Sequence, residues 1–209
     1  MLARYSQLLR DAPHGLIGPN DRDRAGEHVD DALSVLPVIA GLPHGTIIDV
    51  GTGAGLPGIP LGVELAESQV ALVETNGKKA TFLRECVEAL GIEARFSVLW
   101  QRVEQVARDD REAWDLAISR ALAPPVTALE WLAPLVRVGG NVVILTTGRL
   151  AAETGLLEAA PLLGLSEPRT EPLTSSLRDD AVAVVAHKTS ATPAKFPRRE
   201  GDAKRKPLA

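Results

Sequence analysis

The chain has 209 residues, 45% of them hydrophobic and 24% charged, with a formal net charge of -4; this suits one domain of ordinary size with a substantial core. No apolar run approaches the roughly 20 residues that span a bilayer, and no charged-then-apolar leader opens the chain, so a cytoplasmic protein is expected. Cys86 is the sole cysteine, which excludes an intrachain disulfide, and the histidines at 14, 28, 44 and 187 lack metal-ligand spacing, so no metal is expected.

In chain order, a short helix is predicted around Tyr5 to Arg10, then a loop with Pro13, Gly15, Gly18 and Pro19. Apolar residues at Val29, Ala32, Leu33, Leu36 and Ile39 predict a helix from Glu27 to Ala40, closed by Gly41 and Pro43. The run Thr46 to Val50 reads as a buried strand entering a turn with glycines at 51, 53, 55 and 58, and Pro57 and Pro60 suit the first turn of the next helix. Strands are then predicted at 69–74, 94–99, 114–119 and 141–146, and helices at 78–90, 103–108, 125–136 and 150–163. Gly139-Gly140 is expected to turn the chain into the fifth strand; an irregular strand at 165–173 and a last one at Ala181 to His187 complete the body. Apolar strands separated by helical patterns predict an α/β fold with a mostly parallel sheet covered on both faces. Residues 1–192 are read as one domain with an N-terminal helical extension to about residue 44, and 193–209 as an extended tail.

The charge is unevenly spread. From Lys195 to Lys206 six basic residues (Lys195, Arg198, Arg199, Lys204, Arg205, Lys206) stand against two acidic ones, so this stretch carries +4 and the rest -8. A basic tail on an acidic body is either an RNA-contacting arm or a solvated terminus.

The spacing Gly53-x-Gly55-x-x-Gly58 matches a dinucleotide fingerprint only formally. Asp49 before the turn could orient an ammonium group, directly or through water, and Glu74 ends the second strand where a ribose diol would be held. Two acids flanking a glycine turn suit a cationic, ribose-bearing ligand such as S-adenosylmethionine better than a polyphosphate. Gly77-Lys78-Lys79 lacks the upstream glycine and the Ser or Thr of a phosphate loop, and Ser119 lacks a nucleophile-elbow context. Cys86 falls on the apolar stripe of its helix with Phe82, Leu83, Val87 and Leu90, which marks a structural thiol. Arg102 and Arg120 both follow strand C-termini, the edge where ligands bind in open parallel sheets. Arg120, amid apolar residues, calls for a carboxylate or phosphate partner, in a ligand or in a structural ion pair.

With these residues in hand the chain resembles the GidB/RsmG family. The resemblance rests on Asp49-Val-Gly-Thr-Gly-Ala-Gly-Leu-Pro-Gly-Ile-Pro60, Glu74-Thr-Asn-Gly-Lys-Lys-Ala-Thr-Phe-Leu-Arg84, Arg102-Val-Glu104 and Ser119-Arg-Ala121. His28-Val-Asp-Asp-Ala-Leu33, Phe196-Pro-Arg-Arg-Glu-Gly201 and Lys206-Pro-Leu208 extend it. The resemblance implies a Rossmann-like class I S-adenosylmethionine-dependent methyltransferase with a seven-stranded sheet, acting on N7 of a guanine in the 530 loop of 16S ribosomal RNA. It implies cofactor contacts at Asp49, Gly51, Gly53, Leu56, Glu74, Val103, Glu104 and Arg120, with Arg120 and Arg102 positioning the reactants and no general base. RNA contacts are expected at His28, Asp31, Arg178 and the tail residues Lys195, Arg198, Arg199, Lys204, Arg205 and Lys206, in an enzyme acting as a monomer on 16S rRNA or the small ribosomal subunit. The chain departs from the resemblance at Thr147-Gly148, where many members carry Lys-Gly, and near the last strand, where Arg178 is a shifted substitute for a basic residue. A similar fold acting on a small molecule or protein, or an RNA-binding relative that has lost catalysis, is the alternative.

Overall fold

Seven strands form a single sheet in the order β3-β2-β1-β4-β5-β7-β6. The computed structural model describes residues 1–13, 15–16, 18, 21–152 and 155–208. His14, Ile17, Pro19 and Asn20 of the first loop, Glu153 and Thr154 of the helix expected at 150–163, and Ala209 lie outside the described residues.

The described elements are α1 (Leu2–Arg10), α2 (Ala25–Leu33), α3 (Leu36–Ile39), β1 (Thr46–Val50), α4 (Gly58–Glu64), β2 (Gln69–Glu74) and α5 (Gly77–Leu90). Then come β3 (Phe96–Trp100), α6 (Val103–Asp109), β4 (Trp114–Arg120), α7 (Pro125–Leu132), a 3-10 turn (Ala133–Leu135) and β5 (Val136–Thr147). α8 (Gly148–Ala151), α9 (Leu156–Leu162), β6 (Arg169–Pro172), β7 (Ala181–His187) and α10 (Asp202–Arg205) complete the chain. β1 to β5 are parallel; β7 runs antiparallel between β5 and β6.

Strand alternation assigns each side chain a face. Ile47 of β1, Leu116 and Ile118 of β4 and Val143 of β5 join the core under α1 to α5. Ile48, Ala117 and Val142 join the opposite core, under α6, α7, α9 and the C-terminal segment. By the same parity Asp49 and Arg120 belong to the α1–α5 side. Cys86 is buried in that core, and burial pushes its thiol up to about 12, as suits a structural thiol.

The expected helix from Glu27 to Ala40 is two helices. Pro37 has no N–H to give Leu33, so α2 ends and α3 begins with proline in its first turn. Pro134 likewise converts the end of the expected 125–136 helix into the 3-10 turn. Gly139-Gly140 does not separate two elements: β5 runs through it, with a register shift against β4 between Trp114 and Leu116. Most different is the segment after Pro193, which is not extended. Phe196 and Ala203 are buried against the α7 side, and residues 202–205 make a helical turn.

The segment is anchored at its start by charge. Lys188, fully buried, donates from Nζ to the Ala133 carbonyl at 2.6 Å and to Thr192 Oγ1, and lies 3.2 Å from Glu112 Oε1. Burial pulls this ammonium below the usual lysine range. Arg111 donates to the carbonyls of Phe196 at 2.7 Å, Thr192 at 2.5 Å and Pro193 at 3.2 Å.

Candidate active site

The carboxyl edge of the sheet is organised by the turn after β1. Gly51, Gly53 and Gly55 have φ of 69°, 64° and 109°, a region in which side-chain-bearing residues are strained. Gly51 and Thr52 donate to the Val73 carbonyl at 2.9 and 3.2 Å, which pins the turn to β2. From α1, Tyr5 donates its hydroxyl to the Ala54 carbonyl at 2.9 Å.

Asp49 is fully buried, and its Oδ2 accepts from Thr52 Oγ1 at 2.5 Å and from Gly58 N at 2.8 Å. Its carboxylate therefore lies beneath the turn, and Oδ2 ties the turn to the start of α4. Burial raises its pKa to about 6 against the lowering effect of these two hydrogen bonds. Glu74 also braces the turn: Oε2 accepts from Gly53 N at 3.1 Å and Oε1 from Asn76 N at 2.8 Å.

Two clefts open on either side of Gly51. One, of about 230 Å³, is lined by Gly51, Gly53, Leu56, His28, Asp21 and Arg120, with Leu9, Leu16 and Ala25 as apolar wall. The other, of about 150 Å³, is lined by Gly51, Val73, Thr75, Arg102, Val103 and Glu104, with Leu122, Trp131, Gly201 and Lys204 opposite. At Gly51 the φ of 69° disfavours any side chain, and a Cβ there would also stand 2.5 Å from Leu122 Cδ1, which would have to shift.

In the first cleft, Arg120 leaves the end of β4 and donates from Nη1 to Asp31 Oδ2 at 2.7 Å. Arg178 donates to both oxygens of the same carboxylate, at 2.9 and 3.1 Å, and Ser175 Oγ adds a bond to Oδ1 at 2.5 Å. Asp31 is only 1% exposed. Burial pushes its carboxyl up, but the bonds from Ser175, Arg178 and Arg120 outweigh it and hold the pKa below the ordinary value. The partner that Arg120 needed is thus a carboxylate of the chain itself. Asp31, expected to touch RNA, is instead enclosed by the two guanidinium groups. Ala121 directly after Arg120 has φ of 53°, a strained conformation for alanine. His28 faces the same cleft, with Nε2 3.2 Å from Asp21 Oδ1.

In the second cleft, Val103 and Glu104 open α6, both buried. Arg102 precedes them and pairs in solvent with Glu200, Nε to Oε1 at 2.7 Å. The tail residues divide. Arg198 grips Glu130, which is 1% exposed, through Nε at 2.7 Å and Nη2 at 2.5 Å. Arg205 pairs with Asp202. Lys204 holds its ammonium 5.3 Å from the centre of the Trp131 ring, and Lys195 lies 5.1 Å from the Phe196 ring. Arg199 and Lys206 are exposed. Sequence reasoning missed Ser175, Asp21, Glu130, Arg111 and Lys188. Ser175, Glu130, Arg111 and Lys188 work through partners distant in the chain, Asp21 through nearby His28, and none has a local motif.

The strand order, with β7 reversed next to β5, and the glycine turn between two clefts at the carboxyl edge define a class I S-adenosylmethionine-dependent methyltransferase. An S-adenosylmethionine-dependent O-methyltransferase from Thermotoga maritima shares the fold, with a TM-score of 0.59 at 16% identity over 77% of this chain and 65% of that one, about two thirds of its length. M. jannaschii TYW2, solved in complex with AdoMet, has a TM-score of 0.58 at 14% identity over 77% of this chain and 74% of that one. The chain belongs to the GidB family, rRNA small subunit methyltransferase G, whose model matches residues 1–168. It is 39% identical to the ribosomal RNA small subunit methyltransferase G of Rubrobacter xylanophilus over 87% of this chain and 72% of that protein. The enzyme of the same name from Moorella thermoacetica is 32% identical over 100% of this chain and 89% of that one.

Proposed function

We propose that the chain transfers the methyl group of S-adenosylmethionine to N7 of a guanine in the 530 loop of 16S rRNA, with the adenosine in the second cleft and the methionine end and target base in the first. The observation that carries this reading is the geometry at Gly51, a single residue shared by a cleft containing Arg120 and one containing Val103 and Glu104. The donor set fits an adenosyl cofactor: Glu104 offers an acceptor for an exocyclic amine, and Gly51 leaves room for the backbone to pass close to a ligand. Bound there, S-adenosylmethionine supplies an electrophilic methyl group on a sulfonium.

Guanine N7 has an exposed lone pair, so the chain need not remove a proton before attack. Its contribution is alignment and electrostatic setting. Arg120 keeps its guanidinium at the cleft wall because Asp31 fixes it from behind. Arg178, bonded to the same carboxylate and 3.4 Å from the Thr146 carbonyl, brings positive charge to the end of β5 beside Thr147. Arg120→Ala is expected to lower methylation of small-subunit RNA about 100-fold. The measurement is mapping of 7-methylguanosine in 16S rRNA from cells lacking the gene and carrying either form. Wild-type methylation by Arg120→Ala would overturn the assignment.

A further inference from the structure

The segment beyond β7 does more than cover the α7 side: Gly201 and Lys204 line the second cleft, facing Glu104. Its position there is built. Arg198 is clamped on buried Glu130, Ala203 is buried, and Gly201 N donates to Glu104 Oε1 at 3.4 Å. Lys204 stands over Trp131, itself a wall of the cleft. The cleft therefore carries an acceptor-only carboxylate from α6 and a donor-only ammonium from α10. That pair matches a 6-aminopurine, whose exocyclic amine donates and whose ring nitrogens accept. A 6-oxopurine would set its carbonyl oxygen against Glu104.

We propose that the C-terminal segment forms a wall of the cofactor site, with Lys204 a positioning residue that donates to a ring nitrogen of the adenine. The proposal rests on the reading of the second cleft as the adenosine site. Binding of S-adenosylmethionine then restrains the already docked segment further, and the segment in turn holds the adenine.

The test is titration calorimetry of the full-length protein with S-adenosylmethionine, and with adenosine and guanosine as competitors, together with amide hydrogen exchange across residues 199–206. Lys204→Ala is expected to weaken S-adenosylmethionine about tenfold, and Lys204→Arg to stay near the parent. Added cofactor should slow exchange in 199–206, and adenosine should compete better than guanosine. Lys204 is exposed, so its variants keep the fold, which an unchanged melting temperature checks. Thr75→Trp fills the same cleft from the body side and separates the two claims. If it weakens binding while Lys204→Ala and the exchange of 199–206 do not respond, the wall is refuted and the cleft reading stands. If Thr75→Trp has no effect either, the cleft reading falls and the wall with it.

Discussion

Arg198 distinguishes a tail that is free for RNA from one that is bound to the body. Its guanidinium makes two bonds to Glu130 and one to the Lys206 carbonyl at 2.7 Å. The Glu130 side chain is 1% exposed, that of Arg198 26%. Arg198→Ala would leave a buried carboxylate whose remaining bond is from the residue 198 backbone N–H, at 3.4 Å. Losing one partner of a buried pair costs about 3–5 kcal/mol, and the partial exposure of Arg198 reduces this to about 2–4 kcal/mol. For a chain of this length each kcal/mol moves the melting temperature by about 2–4 °C, so a drop of roughly 5–15 °C is expected in a melt monitored by circular dichroism without RNA. Arg199→Ala, at an exposed neighbour, provides the comparison and should melt with the parent. An Arg198→Ala protein that melts within about 1 °C of the parent but binds RNA more weakly would refute the structural role.

Two further predictions concern the buried carboxylates. Asp49 has a folded pKa of about 6, above its ordinary value, so the fold favours its neutral form. Its contribution is therefore most favourable below the unfolded pKa and declines as pH rises toward 6, by about 3 kcal/mol in all. Asp49→Asn keeps an acceptor for Gly58 and Thr52, and should remove that decline; denaturant unfolding of parent and variant at pH 4 and pH 7 measures the difference, and parallel pH dependences would count against it. Asp31→Asn leaves Arg120 and Arg178 together without their shared counter-charge, at a cost of about 2–4 kcal/mol. Thermal melts should show the loss together with a fall in methyl transfer, and unchanged turnover would mean that Asp31 does not hold Arg120 for catalysis.

The features legible in the sequence are those encoded locally. Apolar runs of strand length and the glycines at 51, 53 and 55 are short-range patterns, and the sheet and the turn form where those patterns lie. The break between α2 and α3 was encoded too, in Pro37, but the apolar spacing continues across it and hides it. What the local pattern does not contain is direction and partner. An acid near the end of β1 reads as a ligand-orienting group until its partners are known: Asp49 Oδ2 is taken by Thr52 Oγ1 and by Gly58 N at the start of α4. Arg120 and Asp31 are 89 positions apart, Arg178 and Asp31 147, and no spacing rule joins them. The tail reads as an extended arm or a solvated terminus because its composition is charged and it carries prolines at 193, 197 and 207. Its docking depends on Glu130 of α7 and on Arg111 in the turn between α6 and β4, which look like ordinary surface residues in sequence.

A common device links these long-range features. Elements that pack on the sheet from outside it are fixed by charges taken out of water: α2 and the loop before β7 at the carboxyl edge through Asp31, the C-terminal segment through Glu130, and its root, at the opposite edge of the sheet, through Lys188 and Glu112. Apolar packing could hold the same elements as firmly, since buried ion pairs return little net stability over well-packed hydrocarbon. Hydrocarbon contacts, however, tolerate sliding, whereas a carboxylate with two guanidinium partners is satisfied in one arrangement. For a reaction that requires alignment rather than proton removal, that restriction is the useful property. It keeps Arg120 at one cleft and Lys204 at the other in register with Gly51, where the two clefts meet.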